Sequence, residues 1–234
     1  MQTFTISKEL EADLVRRRGK VHPYERLEPA KTALVVVDMQ NYFMQDGQPS
    51  CAPAARDIVP NVNALASELR ALGGFVVWIQ TEAKPETPVD WANHYEAMSS
   101  EAVARRQKNL GKDGSGFPIW SQLEVQPEDA RVIKTRYSAF IAGSSNLEEV
   151  LRARGIDTIL ITGVATNVCC ESTARDGMMR GFRTLMVSDG NAAFTQENHE
   201  HCLKNFIVTF GDVQTTDEVI ANLRATAKTA RAAE

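Results

Sequence analysis

The apolar residues of this chain fall in short, dense runs, and the stretches between them carry apolar residues at helical spacing. "TALVVVDM" at 32–39 shows no polar alternation, the mark of a strand buried on both faces. "FVVWIQ" at 75–80, "ARVIKT" at 130–135, "DTILITG" at 157–163 and "FRTLMVSDG" at 182–190 repeat the pattern, and "VQTT" from Val213 is a candidate sixth strand. Between them, "ARDIVPNVNALASELRALGG" reads as a helix closed by Gly-Gly. "SSNLEEVLRARG" at 144–155 reads as a helix opened by a capping box of Ser145 and Glu148 and stopped by a glycine. "CCESTARDGMMRG" and "TQENHEHCLKNFIVTF" supply two more, and Thr215 with Glu218 opens a last one.

Strands alternating with helices predict an α/β fold. The expected form is a three-layer, doubly wound, mostly parallel sheet of about six strands with helices on both faces. Residues 1–30 read as an N-terminal extension and 31–234 as a single domain. The segment 81–129 is polar and too long for an ordinary connection, so a lid or a subunit contact is expected there.

At 234 residues and 43% hydrophobic, the chain can bury a sizeable core. Its net charge of -4 gives no reason to expect nucleic acid or an anionic membrane as a partner. No apolar run approaches membrane-spanning length, and the first twenty residues lack the apolar core of a signal peptide, so the cytoplasm is the default location. Cys51, Cys169, Cys170 and Cys202 are irregularly spaced and argue against a disulfide framework. "HEH" at 199–201 reads as solvated helix surface, no metal-ligating pattern appears, and neither metal nor cofactor is expected.

In an open parallel sheet, ligands bind beyond the carboxyl ends of the strands. Strand one ends in Asp38, strand three in Lys134, and strand four runs into "TGVATNVCC". Each has an ordinary explanation alone: a turn, a solvent-reachable edge charge, a buried filler thiol. Together they place an acid, a base and a thiol at one edge. A thiol at a helix start feels the positive end of the helix dipole, which favours thiolate, and nearby amides can bind an oxyanion. An aspartate can take the thiol proton, and a lysine can hold that aspartate ionised. With Thr166 or Asn167 as N-cap, position favours Cys169 over Cys170 without deciding between them.

"ALVVVDMQNYF", "VIKTRYSAF" and "GVATNVCCESTARDG" together resemble the isochorismatase-like cysteine hydrolase superfamily over roughly residues 30 to 225. The resemblance implies a catalytic triad of Asp38, Lys134 and Cys169, with Cys170 at a place usually held by valine. It also implies a cis peptide at Val164–Ala165 and an oxyanion hole of the Ala165 and Cys169 amides, in a homodimer or homotetramer. The nicotinamidases of this superfamily carry an Asp-x-His-x-His type metal site after the second strand; here that place reads "QTEAKPETP". The pattern is similar to the ureidoacrylate amidohydrolases, N-carbamoylsarcosine amidases and biuret hydrolases. The expected activity is therefore metal-free hydrolysis of a C–N bond in a small linear amide or carbamoyl or ureido compound, through a thioester. Candidate substrate contacts are Gln40, Asn41, Tyr42, Gln80, Arg136, Tyr137 and Asn167, with Arg136 as the nearby cation for a substrate carboxylate. Two alternatives stay open: a vinyl-ether hydrolase on the same fold, and a non-hydrolytic redox or binding protein using Cys169.

Overall fold

The computed structural model describes residues 1–231. Six strands form one sheet: β1 (Thr32–Val37), β2 (Phe75–Thr81), β3 (Ala130–Lys134), β4 (Thr158–Val164), β5 (Arg183–Ala192) and β6 (Asp212–Gln214). Their order is β3-β2-β1-β4-β5-β6, and every pairing is parallel. The fold is the doubly wound α/β form expected, and the strand order reverses between β1 and β4.

Alternate strand residues enter two separate cores, as the two-residue period of a strand requires. Val35, Val37, Val77, Ile79, Ile159 and Ile161 face one side, while Leu34, Val36, Val76, Trp78, Leu160 and Leu185 face the other. Each fully buried aliphatic side chain here contributes roughly 1.5–3 kcal/mol relative to exposure, which explains why the strands carry no polar alternation.

Ten helices clothe the sheet and its loops. In chain order they are α1 (Lys8–Arg18), α2 (Asn41–Met44), α3 (Val59–Ala71), α4 (Thr87–Asp90), α5 (Ala92–Glu96), α6 (Ser100–Leu110), α7 (Leu147–Ala153), α8 (Glu171–Met179), α9 (Gln196–Thr209) and α10 (Thr216–Arg231). The first core is covered by α1, α7, α8 and α9, and the second by α3 and α10. The N-terminal extension is built into the fold: Leu10 and Leu14 of α1 join the first core. Arg18 donates to the Ile207 carbonyl at 3.0 Å, and His22 Nδ1 lies 2.9 Å from Asp212 Oδ1 of β6.

Two predicted caps come out differently. At α10, Thr215 N–H donates to Glu218 Oε2 at 2.7 Å while Glu218 N–H donates to Thr215 Oγ1 at 3.3 Å, the expected reciprocal box. At α7 the box does not form. Ser145 Oγ instead donates to Ala139 O at 2.7 Å and accepts from Leu147 N–H at 3.1 Å, so it ties the Phe140 loop to the helix start. The segment between β2 and β3 is also not a bare loop. It carries α4, α5 and α6, and α6 docks through Leu110 against Tyr42 and Ala83.

Candidate active site

Four adjacent strands each deliver one group to the carboxyl edge of the sheet. Asp38 follows β1 with φ 54, a left-handed turn that aspartate tolerates better than most residues and that swings its carboxylate off the strand line. Thr81 ends β2 and Lys134 ends β3, and the two are direct partners in the parallel pairing. Lys134 Nζ donates to Thr81 Oγ1 at 2.6 Å, and Thr81 Oγ1 donates to Asp38 Oδ1 at 2.9 Å. Lys134 Nζ also donates to the Arg136 carbonyl at 3.0 Å and forms an ion pair with Asp38 Oδ2 at 2.7 Å. Both charged side chains are fully buried. Lys134 is therefore no solvent-reachable edge charge; it is a buried cation whose stem crosses the space between sheet and loops.

Cys169 comes from the next strand over. Gly163 in β4 has φ +119, and a Cβ there would lie 2.0 Å from Val37 O, so β1 and β4 can run this close only with glycine at that position. The Val164–Ala165 peptide is cis. The chain then enters a wide π-type turn, Thr166–Cys170, before α8. Neither predicted N-cap side chain serves. Ala165 holds the cap position, Thr166 Oγ1 pairs with His199 Nδ1 at 2.9 Å, and Asn167 Oδ1 is buried without a partner. His199 is thus a core residue beneath the cysteine turn rather than solvated helix surface, whereas His201 is exposed.

The Cys169 thiol lies close enough to Asp38 and Lys134 for both to act on its charge. Burial pushes its pKa up to about 12; Lys134 pulls it down and Asp38 pushes it further up. Burial thus works against the thiolate that the helix start favours. Lys134 shows the opposite balance. Burial works against its charge, but Asp38 and Cys169 outweigh that and hold its pKa above the ordinary lysine value. Asp38 Oδ2 is held by Lys134 Nζ at 2.7 Å, on the side of the carboxylate that also faces the Cys169 thiol's surroundings. Cys170 faces away, with Sγ 3.9 Å from Thr162 O and a pKa driven well up by burial.

A cavity of about 180 Å³ opens over Cys169. Thr81, Ala165, Val168, Phe43, Ser50, Phe194, Arg106, Arg136 and Tyr137 line it with Cys169. Wider hollows along α1 and beside Glu82–Pro85 gather no comparable groups. Of the substrate contacts expected from sequence, Arg136 and Tyr137 line the cavity. The others lie elsewhere. Gln40 is fully buried, donating to Thr81 O and Phe117 O at 3.1 and 2.8 Å and accepting from Thr81 N–H at 2.7 Å. Gln80 donates to Phe117 O at 2.9 Å and Asn41 to Ser115 O at 3.3 Å, so these amides hold the 115–118 loop. Tyr42 packs edge-on against Phe43, and Asn167 lies off the cavity wall. Arg106, Thr81, Ser50 and Phe194 escaped the sequence reading. Only Thr81 carried a signal, as the last residue of a strand between two strands with functional ends. Among the described residues no three His, Cys, Asp or Glu side chains gather as a metal-ligating set. No helix is long and apolar enough to cross a membrane.

A buried carboxylate, an ammonium and a thiol gather at the switch point of a doubly wound sheet. The Isochorismatase domain model matches residues 32–218, and the chain belongs to that family. It is 31% identical over 207 residues to a ureidoacrylate amidohydrolase of Klebsiella pneumoniae, covering 80% of this chain and 85% of the relative. Among solved structures it resembles a cysteine hydrolase from Pseudomonas syringae pv. phaseolicola, with TM-score 0.76 and 29% identity over 86% of this chain and 95% of that one. It also resembles N-carbamoylsarcosine amidase from Thermoplasma acidophilum, with TM-score 0.65 and 28% identity over 80% and 97% of the two chains.

Proposed function

We propose that this isochorismatase-family hydrolase is a metal-free cysteine amidohydrolase that cleaves a C–N bond of a small linear amide or ureido compound. The observation that carries the reading is the fully buried Asp38–Lys134 ion pair, 2.7 Å long, beside the Cys169 thiol that lines the cavity. The cavity supports a small substrate. Its volume is about 180 Å³.

As Cys169 sulfur attacks the carbonyl carbon, its proton passes to Asp38 and the carbonyl π pair moves to oxygen. The N–H groups of Ala165 and Cys169 receive that oxyanion. Collapse re-forms C=O and breaks the C–N bond, and the leaving nitrogen takes the proton from Asp38. A water then gives a proton to Asp38 while its oxygen attacks the thioester. The second collapse expels the sulfur, which recovers the proton. Lys134 stays charged throughout, so Asp38 is ionised at the start of each half-reaction.

The test is ammonia release from a panel of primary amides and ureido acids, together with trapping of the acyl-enzyme by mass spectrometry. A covalent adduct on the Cys169 peptide is expected. Turnover that persists after Cys169 is fully alkylated would overturn the reading in favour of a vinyl-ether or other sulfur-independent hydrolysis.

A further inference from the structure

His199 is a buried titratable group that the proposed chemistry does not use. It lies in α9, is fully buried and does not line the cavity. Its Nδ1 lies 2.9 Å from Thr166 Oγ1, and Thr166 is fully buried as well. One helical turn on, Cys202 Sγ donates to the Thr166 carbonyl at 3.4 Å. Residues three apart share a face of a helix. α9 therefore grips one residue by both its side chain and its backbone. Burial lowers the His199 pKa to about 4, so the ring is neutral at neutral pH and adds no charge beneath the reactive centre. Burying ring nitrogens costs free energy that an apolar side chain would not, and Nδ1 offsets that cost at Thr166.

Thr166 is the place where such a grip reaches the chemistry. It follows Ala165, whose N–H is half of the proposed oxyanion hole, and it opens the Thr166–Cys170 turn that carries Cys169. The N–H groups of Val168 and Cys170 both converge on Ala165 O, at 3.0 and 3.3 Å, so the turn hangs on the chain just before Thr166. A reactive group and its oxyanion donors work only when held to within about 0.5 Å of the productive geometry by their supporting contacts.

Resting on the reading of Cys169 as nucleophile, we infer that His199 is a positioning residue. Through Thr166 it fixes the pitch of the cysteine turn, and with it the aim of the Cys169 sulfur and of the Ala165 and Cys169 amides. It touches no substrate, so its loss falls on kcat and not on KM.

Two measurements decide it, on wild type, His199→Leu, His199→Asn, Thr166→Val and the His199→Leu/Thr166→Val double variant. Asparagine returns a hydrogen-bonding group near the Nδ1 position; leucine does not. The first is ammonia release from ureidoacrylate, with kcat expressed per folded molecule from circular dichroism. In His199→Leu and in Thr166→Val, kcat should fall at least about tenfold, the scale of one buried hydrogen bond left half made, with KM changed less than about threefold. Asparagine should restore part of the loss. The double variant should be no worse than the worse single, since both act through one bond. His201→Leu, an exposed site on the same helix, should match wild type. The second needs no turnover: exchange of the Val168 and Cys170 amides, followed by NMR relative to the amides of β1. That ratio should rise at least about tenfold in His199→Leu, and global destabilisation cancels from it. If the wild type hydrolyses neither ureidoacrylate nor any other amide or ureido acid but the exchange result holds, the amidohydrolase reading fails and the positioning role stands. If kcat and the exchange ratio of both His199→Leu and Thr166→Val match wild type, or their losses add in the double variant, the inference is wrong and His199 only fills the core.

Discussion

Lys134 Nζ and Asp38 Oδ2 sit 2.7 Å apart with neither side chain reaching solvent. Such a pair adds little net stability, but breaking it is expensive, because the survivor is left as an uncompensated buried charge. Lys134→Met should lower kcat by at least about a hundredfold, the scale of one acid–base or oxyanion contact. It should also cost roughly 3–5 kcal/mol of stability. Urea denaturation alongside steady-state kinetics checks both. A variant with near wild-type stability and turnover would reduce Lys134 to a spectator.

The two adjacent thiols should separate cleanly. Cys169→Ser removes the sulfur that meets Asp38 and should abolish turnover. Cys170 is wholly buried, so Cys170→Val should retain most activity with a small loss of stability. Activity assays on both variants give the answer, and the reverse pattern would move the nucleophile to Cys170.

Burial pushes the Cys169 pKa up to about 12, so the neutral thiol is the favoured form at pH 7. The iodoacetamide labelling rate of the Cys169 peptide in the free enzyme should therefore climb about tenfold per pH unit from pH 7 to 10, without a plateau. In Lys134→Met the rate at any one pH should be lower, since Lys134 is the group that pulls the thiol pKa down. A plateau near neutral pH would mean a resting thiolate.

Thr81 joins Lys134 to Asp38 with bonds of 2.6 and 2.9 Å. Thr81→Val keeps the shape but removes donor and acceptor. The expected result is about a tenfold loss in kcat and roughly 1–3 kcal/mol of stability. Kinetics and thermal unfolding of this variant test whether the hydroxyl holds Asp38 in place; unchanged kcat would argue that Lys134 alone suffices.

Half-buried His22 and buried His199 should respond to pH with opposite sign. The hydrogen bond to Asp212 raises the pKa of His22 against a smaller effect of burial. Its stabilising effect is complete below the unfolded value of about 6.5 and fades as pH rises through the higher folded value. Burial lowers His199 to about 4, so its contribution is complete above about 6.5 and is lost as pH falls toward the folded value. The Tm gap between wild type and His22→Ala should therefore be wider at pH 5.5 than at pH 9. Relative to His199→Met, the wild type should lose Tm as pH drops from 7 to 4.5. Equal gaps at both ends of either series would sink the corresponding assignment.

Much of this was legible in the chain because burial on both faces leaves a dense signature. "TALVVV" and "DTILIT" could hardly be anything but central parallel strands, and strand ends in this topology point to the site. That placement singled out Asp38, Lys134 and a thiol after β4, and the family resemblance chose Cys169 over Cys170. What stayed hidden depended on contacts between distant segments. Ser145 looked like a cap, but Ala139 O claims its hydroxyl. Lys134 reads as an edge charge until the loops that cover it are in place. α1 carries Leu10 and Leu14 at i, i+4 among seven charged residues, too thin a stripe to announce that it docks on the core. Arg106 sits in a polar segment whose helix shows almost no apolar face, and nothing local reveals that its guanidinium turns inward.

Lys134, Thr81, Asp38 and Cys169 come from β3, β2, β1 and the end of β4, four neighbours in space that the chain visits out of order. A slip of one residue in any of these pairings would turn a whole strand's side chains to the opposite face. The reactive centre is therefore a four-point alignment mark for the middle of the sheet. A nascent or misregistered chain carries the same thiol with neither carboxylate nor ammonium beside it. Turnover by any variant certifies, in one measurement, that four strands have found their native offsets.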